Sequence, residues 1–257
     1  PTRRSSDLKK LHPDLVITYT IKPNIYGGLM CRMLRVPYAV NITGLGTAFQ
    51  SESAVKKLVT FLYKIALKKA KVVFFENIGN KQTFLDLHIL KEKQICVLNG
   101  AGVNLAEYPF CEYPPENETR FLFIGRVMKE KGVDELFEAA ERIKKQHSDV
   151  FFDVVGPMED DYKSRIEELV KKGVVVYHGY QKDVKPFIEN CHCFVLPSYH
   201  EGMANTLLEA GAMGRPLITS NIHGCLEAVE EGRNGYLAEA KNAESLLGQL
   251  EKFLGLS

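Results

Sequence analysis

Short apolar runs alternate with amphipathic stretches along almost the whole chain, and no other feature narrows the possible folds so far. Read by periodicity, strands fall at residues 15–19, 38–42, 72–75 and 95–98, with helices at 25–34, 54–70 and 81–87 between them. Strand, helix and strand in succession imply parallel pairing, because a crossover must return the chain before the next strand can run the same way. Residues 107–119 interrupt the rhythm with Pro109, Pro114 and Pro115 among several carboxylates, so a linker is expected there. A second alternation follows, with strands at 120–124, 151–155, 174–177, 193–196 and 216–220 and helices near 133–146, 160–172, 205–213 and 243–253. The expectation is an α/β chain of two doubly wound, Rossmann-like units.

Composition agrees and removes other classes. Of 257 residues, 45% are apolar and 25% charged, which excludes disorder, collagen and a small disulfide scaffold. No run approaches the roughly 18 apolar residues of a membrane-spanning helix, and no apolar leader opens the sequence, so a cytoplasmic location is expected. Residues 2–7 read Thr-Arg-Arg-Ser-Ser-Asp, the translation of a common sequencing adaptor; residues 1–8 are therefore expected to be a non-native scar on a chain that naturally begins further upstream.

The net charge of +1 hides an imbalance. Residues 1–110 carry 16 Lys and Arg against 7 Asp and Glu, whereas residues 111–257 carry 17 against 25. A basic first half favours anionic partners such as phosphates or lipid headgroups. Aromatic residues are not interleaved with those cations, so nucleic acid is not an expected partner. The helix at 54–70 sets Val55, Leu58, Val59, Leu62, Ile65 and Ala66 on one face and Lys57, Lys64, Lys68 and Lys71 along another. That pattern reads as a core helix with a basic side, and peripheral contact with the cytoplasmic leaflet of the inner membrane is expected from the cations. Six cysteines show no CxxC repeat; Cys191-His192-Cys193 runs into a strand whose side chains alternate faces, so no metal site is expected.

In open parallel sheets, ligands bind beyond the carboxyl ends of the strands, which directs attention to two loops. Residues 125–132, Gly-Arg-Val-Met-Lys-Glu-Lys-Gly, place Arg126 and Lys131 in a glycine-bounded loop ahead of a helix. Glycine lets backbone approach a ligand, Arg forks onto two phosphate oxygens and Lys adds a point charge, a set that suits a diphosphate as well as plain solvation. After the strand at 193–196, Glu201 falls in a loop and Glu209 in the following helix. Amides of Gly202, Met203, Ala204 and Asn205 stand at that helix's positive end. Carboxylates beside an anion site suit sugar or ribose hydroxyls, or are simply solvated.

Gly125-Arg126 with Lys131-Gly132, Glu201 and Glu209 in a Glu-x7-Glu element, Gly-Ala-Met-Gly-Arg-Pro at 211–216 and Asn-Gly-Tyr-Leu at 234–237 together resemble the retaining glycosyltransferases of family GT4, which adopt the GT-B fold. The likeness extends over nearly everything from Pro13 onward. Residues 15–46, with Thr-Ile-Lys-Pro-Asn-Ile-Tyr-Gly at 20–27 and Asn-Ile-Thr-Gly-Leu-Gly at 41–46, narrow it to bacterial enzymes of surface polysaccharides and lipid-linked glycans.

The resemblance implies a partial acceptor-side domain at 9–106, a linker at 107–119 and a nucleotide-sugar domain at 120–257. Arg126 and Lys131 would neutralise the donor diphosphate, Glu209 would hold the ribose, and Glu201 would contact the transferred sugar. Gly125 and the amides of Gly202, Met203, Ala204 and Asn205 would support sugar and diphosphate, with Pro157 and Tyr180 bordering the base. It implies a nucleotide-sugar, UDP-linked, as co-substrate, no cofactor, no metal, and a glycan or polyprenyl-diphosphate-linked acceptor. Two departures accompany it: Thr43 stands where many relatives carry His, and the first domain lacks opening strands, with about 100 residues expected upstream and several tens downstream. A nucleotide-binding fragment without turnover and a GT-B nucleotide-sugar epimerase are the alternatives.

Overall fold

The computed structural model describes residues 8–46, 49, 53–115 and 117–255. Two compact units meet in sequence between Ala101 and Gly102. The first is built from β1 (Val16–Tyr19), α1 (Ile21–Leu34), β2 (Tyr38–Ile42), α2 (Ala54–Leu67), β3 (Val73–Phe75), α3 (Ile78–Asp86) and β4 (Ile95–Val97). Its four strands lie in the order β1-β2-β3-β4, all parallel. Tyr38, Val40, Ile42, Tyr63, Leu67, Phe75 and Phe84 form its core. The first seven residues, in which the adaptor-like peptide falls, lie outside the described ones.

Helix α1 starts four residues earlier than periodicity predicts. Thr20 adopts φ +65°, turning the chain sharply out of β1, and Pro23 sits in the first turn, where a missing N–H costs no hydrogen bond. Helix α2 differs more consequentially. Ser53 caps it by accepting from the Lys56 amide at 3.2 Å, and its inward side is Tyr63, Ala66 and Leu67 with Val59 and Leu62 partly buried. Val55 and Leu58, expected on the inward face, are 56% and 58% exposed, and Phe61 beside them is 59% exposed. The buried side is therefore rotated from the one the sequence pattern marks.

The second unit contains β5 (Thr119–Ile124), α4 (Val133–Gln146), β6 (Val150–Val155), α5 (Lys163–Lys171), β7 (Val175–Gly179), α6 (Lys185–Asn190), β8 (Cys193–Leu196), α7 (Asn205–Ala212), β9 (Leu217–Ser220), β10 (Gly235–Ala238) and α8 (Ala243–Leu254). Two of these are absent from the periodicity reading. Helix α6 has six residues, too few for a helical repeat to show. Strand β10 is four residues long, and Gly235 is required there because a Cβ would stand 2.0 Å from the Leu217 carbonyl oxygen.

The second sheet is all parallel in the order β10-β9-β8-β5-β6-β7. Strands β8 and β9 are buried at every position, as expected for strands covered by helices on both faces. From β5 the chain winds outward through β6 and β7; it then returns to the middle and winds the other way through β8, β9 and β10. The winding reverses between β5 and β8. At such a point the two following loops leave the sheet in opposite directions and open a crevice at the carboxyl edge.

Candidate functional site at the switch point

Loops 125–132 and 197–204 are therefore neighbours by topology, and their contacts are close. The Tyr199 amide donates to the Glu130 carbonyl at 2.9 Å. Gly132, at φ +70°, fills a spot where a Cβ would lie 1.9 Å from the Pro197 carbonyl oxygen. Across this seam Lys131 Nζ donates to Glu201 Oε1 at 2.5 Å, and Ser198 Oγ donates to the same oxygen at 2.7 Å. The side chains of this pair are 24% and 12% exposed, so the charges are shielded without being sealed from a ligand.

A third loop closes on the same place. The Ala204 amide donates to the Gly224 carbonyl at 2.9 Å, and a Cβ on Gly224 would meet the Gly202 oxygen at 2.7 Å. Burial pushes the Cys225 thiol up to about 12, so it sits beside Lys131 and Glu201 as a neutral group. Helix α7 begins with Ala204 as cap residue and no side-chain cap hydrogen bond, which leaves its first amides and its positive dipole end for other acceptors. Arg126 is exposed, and among the described residues it enters no ion pair.

Beside this crevice three glycines stand at the carboxyl ends of adjacent strands. The Gly125 amide donates to the Val155 carbonyl at 2.9 Å and the Gly156 amide to Gly179 at 2.8 Å. At Gly156, φ is +138° and a Cβ would lie 2.0 Å from the Gly125 oxygen, so backbone alone fits. Pro157 accepts from the Val127 amide at 2.9 Å, and exposed Tyr180 follows Gly179. Pro157 and Tyr180 thus extend from the β6 and β7 ends of the edge, while Gly202, Met203, Ala204 and Asn205 extend from the β8 end.

Glu209 lies on α7, partly buried, and burial raises its carboxyl above the usual range while a hydrogen bond from Tyr108 opposes that rise. Tyr108, in the segment expected as linker, is a residue that sequence reasoning missed. Gly156, Gly179, Ser198 and Gly224 were missed as well; each acts through backbone shape or a local hydrogen bond, which leaves no charge pattern to read. In the first unit, Glu76 at the carboxyl end of β3 accepts from Asn41 Nδ2 at 3.0 Å, and burial raises its carboxyl. Thr18 Oγ1 and Asn41 Oδ1 are buried there without hydrogen-bond partners.

The Cys191-His192-Cys193 cluster is structural. His192 Nδ1 accepts from the Arg120 amide at 3.1 Å, Nε2 lies 3.2 Å from the Pro115 carbonyl, and burial raises both thiols. Among the described residues no three His, Cys, Asp or Glu side chains group as a metal site requires.

Two α/β units, each with an all-parallel sheet, the second with Lys131, the N-terminus of α7 and glycine-lined loops at its switch point, have the architecture of the GT-B class. Residues 107–256 match the model of glycosyl transferases group 1, and residues 7–77 that of glycosyl transferase 4-like proteins. An N,N'-diacetylbacillosaminyl-diphospho-undecaprenol alpha-1,3-N-acetylgalactosaminyltransferase of Campylobacter jejuni is 31% identical over 96% of the chain and 69% of its own length. An Escherichia coli UDP-Gal:alpha-D-GlcNAc-diphosphoundecaprenol alpha-1,3-galactosyltransferase is 28% identical over 95% of the chain and 67% of its own. HepE of Anabaena, solved with UDP-glucose, superposes with a TM-score of 0.82 at 17% identity, covering 98% of the chain and 71% of HepE. The chain belongs to the group 1 glycosyltransferases, family GT4, and its fold is GT-B.

Proposed function

We propose that the chain moves a hexose-class sugar from a UDP-linked donor to a polyprenyl-diphosphate-linked glycan, with retained anomeric configuration. The contact between Lys131 and Glu201 carries this reading, because it sets a cation from one loop and a carboxylate from the other beside the uncapped amides of α7. Arg126 and Lys131 hold the diphosphate, assisted by the α7 dipole, so that negative charge growing on the leaving group meets preorganised donors. Glu201 accepts from a sugar hydroxyl and Glu209 from the ribose. The Gly202 and Met203 amides support sugar and phosphate, whereas the Ala204 amide, expected in the same role, is taken by the Gly224 carbonyl at 2.9 Å; Pro157 and Tyr180 border the base.

In the transfer step the bond from the anomeric carbon to the diphosphate oxygen breaks and the bond to the acceptor oxygen forms on the same face. The acceptor's proton passes to the departing phosphate oxygen, so the charge developing there is neutralised within the complex. Two curated relatives named for diphospho-undecaprenol substrates support the acceptor class. A lipid-borne acceptor brings the enzyme to a membrane, and the basic first unit supports peripheral contact with the cytoplasmic leaflet through α2. No helix among the described residues is long and apolar enough to cross a membrane.

Incubation with UDP-sugars and a synthetic polyprenyl-diphosphate monosaccharide, followed by NMR of the product linkage, tests this. An α-linked product from an α-linked donor is expected. Inverted product would refute the mechanism, and UDP binding with no transfer to any acceptor would leave a binding module.

A further inference from the structure

At the opposite edge of the first sheet, where its strands begin, lies a basin that the glycosyl-transfer reading does not use. Its walls come from the carboxyl end of α2, with Lys64 and Lys68, and from the segment leading into β4, with His88, Lys91 and Lys93; the concavity is about 620 Å³. A second concavity of about 340 Å³ adjoins it through Lys64 and is lined by Lys57, Phe61 and Leu87. The walls are fixed. His88 at φ +51° closes α3, with its amide on the Leu85 carbonyl at 2.9 Å. Ile89 and Leu90 are buried behind it, and Gln94 Nε2 donates to the Ala70 carbonyl at 3.3 Å.

Its charge is uncompensated. Glu92, the carboxylate between Lys91 and Lys93, is turned to Lys81 at 3.2 Å, and Asp86 accepts from Gln82 at 2.7 Å. Among the described residues Lys64, Lys68, Lys91 and Lys93 enter no ion pair. Four like charges held around one hollow repel one another, and an anion relieves that repulsion. Phosphate is the chemistry that fits.

The source of the phosphate follows from the neighbours. Phe61, more than half exposed, lies on the same outward stripe of α2 as Lys57, Lys64 and Lys68 at helical spacing, and Leu58, also more than half exposed, flanks that stripe about 60° round the helix from Phe61. Apolar side chains between cations serve no dissolved anion, whereas they suit a helix lying in a headgroup layer. We propose that this basin is a headgroup-phosphate site through which the first unit docks on an anionic bilayer, with Leu58 and Phe61 entering the headgroup boundary. The inference rests on the peripheral contact proposed above and gives it a defined place.

Cosedimentation of the full chain with phosphatidylglycerol-containing and pure phosphatidylcholine vesicles tests it. A basin variant carries Lys64→Gln, Lys68→Gln, Lys91→Gln and Lys93→Gln; a control of equal net charge carries Lys9→Gln, Lys10→Gln, Lys22→Gln and Arg35→Gln. Each basin cation is worth about fivefold in partitioning, from about 1 kcal/mol per cation at an anionic surface. The basin variant is thus expected to bind about 10²–10³-fold more weakly, the control far less, and Phe61→Ser to weaken the binding that survives high salt. Unchanged thermal melting and UDP titration certify that the variants fold. Equal losses in the two quadruple variants would overturn the proposal, as would binding that survives in the basin variant but fails in a Leu58→Ser/Phe61→Ser variant, which leaves peripheral contact standing. Tight binding of inorganic diphosphate without vesicle binding would also overturn it. Wild-type chain that ignores anionic vesicles would remove the peripheral reading as well.

Discussion

Replacing Gly132 by Ala puts the switch-point geometry under direct strain. Its φ of +70° disfavours any side chain, at about 1–2 kcal/mol. The added Cβ would also stand 1.9 Å from the Pro197 carbonyl oxygen, where ordinary contact begins at 3.4 Å. Backbone must therefore move by about 1.5 Å, and overpacking of this kind costs about 1–3 kcal/mol. The sum is about 2–5 kcal/mol. Gly173→Ala is the internal control, since φ there is +68° with nothing within 4 Å of the added Cβ, leaving only the conformational cost. Urea denaturation followed by circular dichroism should separate the two variants by about 1–3 kcal/mol. The displacement parts Lys131 from Glu201 and misaims a charge-assisted contact worth about 1.5–3 kcal/mol, so UDP affinity should fall by about 10–150-fold in Gly132→Ala. It should remain near wild type in Gly173→Ala. Equal stability and equal UDP affinity in the two variants would refute the reasoning.

Three further outcomes are expected. Lys131→Ala removes a charge-assisted contact worth about 1.5–3 kcal/mol, so calorimetry should show UDP binding weakened by about 10–150-fold while uridine binding changes little. Glu209 titrates above the usual carboxylate range because of burial, so it becomes a poor ribose acceptor as pH falls through that raised value; the same shift contributes stability at low pH that is lost as pH rises through it. Tyr108→Phe removes the bond that favours the anion and should move this midpoint upward, read as the pH at which UDP loses its advantage over 2′,3′-dideoxy-UDP; a downward shift would contradict the assignment. Asp153 accepts from Arg120 at 3.0 Å and lies 2.6 Å from His178, with its side chain 10% exposed. Asp153→Ala should lower stability by about 1–3 kcal/mol in urea melts, because Arg120 and His178 lose a shared acceptor while Arg120 keeps Glu118 at 2.5 Å.

Sequence periodicity carried most of the fold, since β8 is a continuous apolar run and α4 is amphipathic over its whole length. The elements it missed, α6 and β10, are too short to show a repeat. Charge and glycine spacing located Arg126, Lys131, Glu201 and Glu209, and topology then placed the two loops together. The remainder of the site was illegible for a physical reason. Gly156 and Gly224 are fixed by carbonyls distant in sequence, and Tyr108 reaches Glu209 from a stretch whose prolines mark it only as irregular. Helix α2 misled in a different way. Its apolar residues outnumber what the core accepts, so pattern alone could not say that Leu58 would face outward.

Backbone NMR of the chain during titration with UDP tests the central claim most directly, because each loop reports separately. Amide resonances of Gly125, Arg126 and residues 202–205 should shift together and saturate at one affinity. Saturable shifts confined to other residues, with those amides unmoved, would contradict the account.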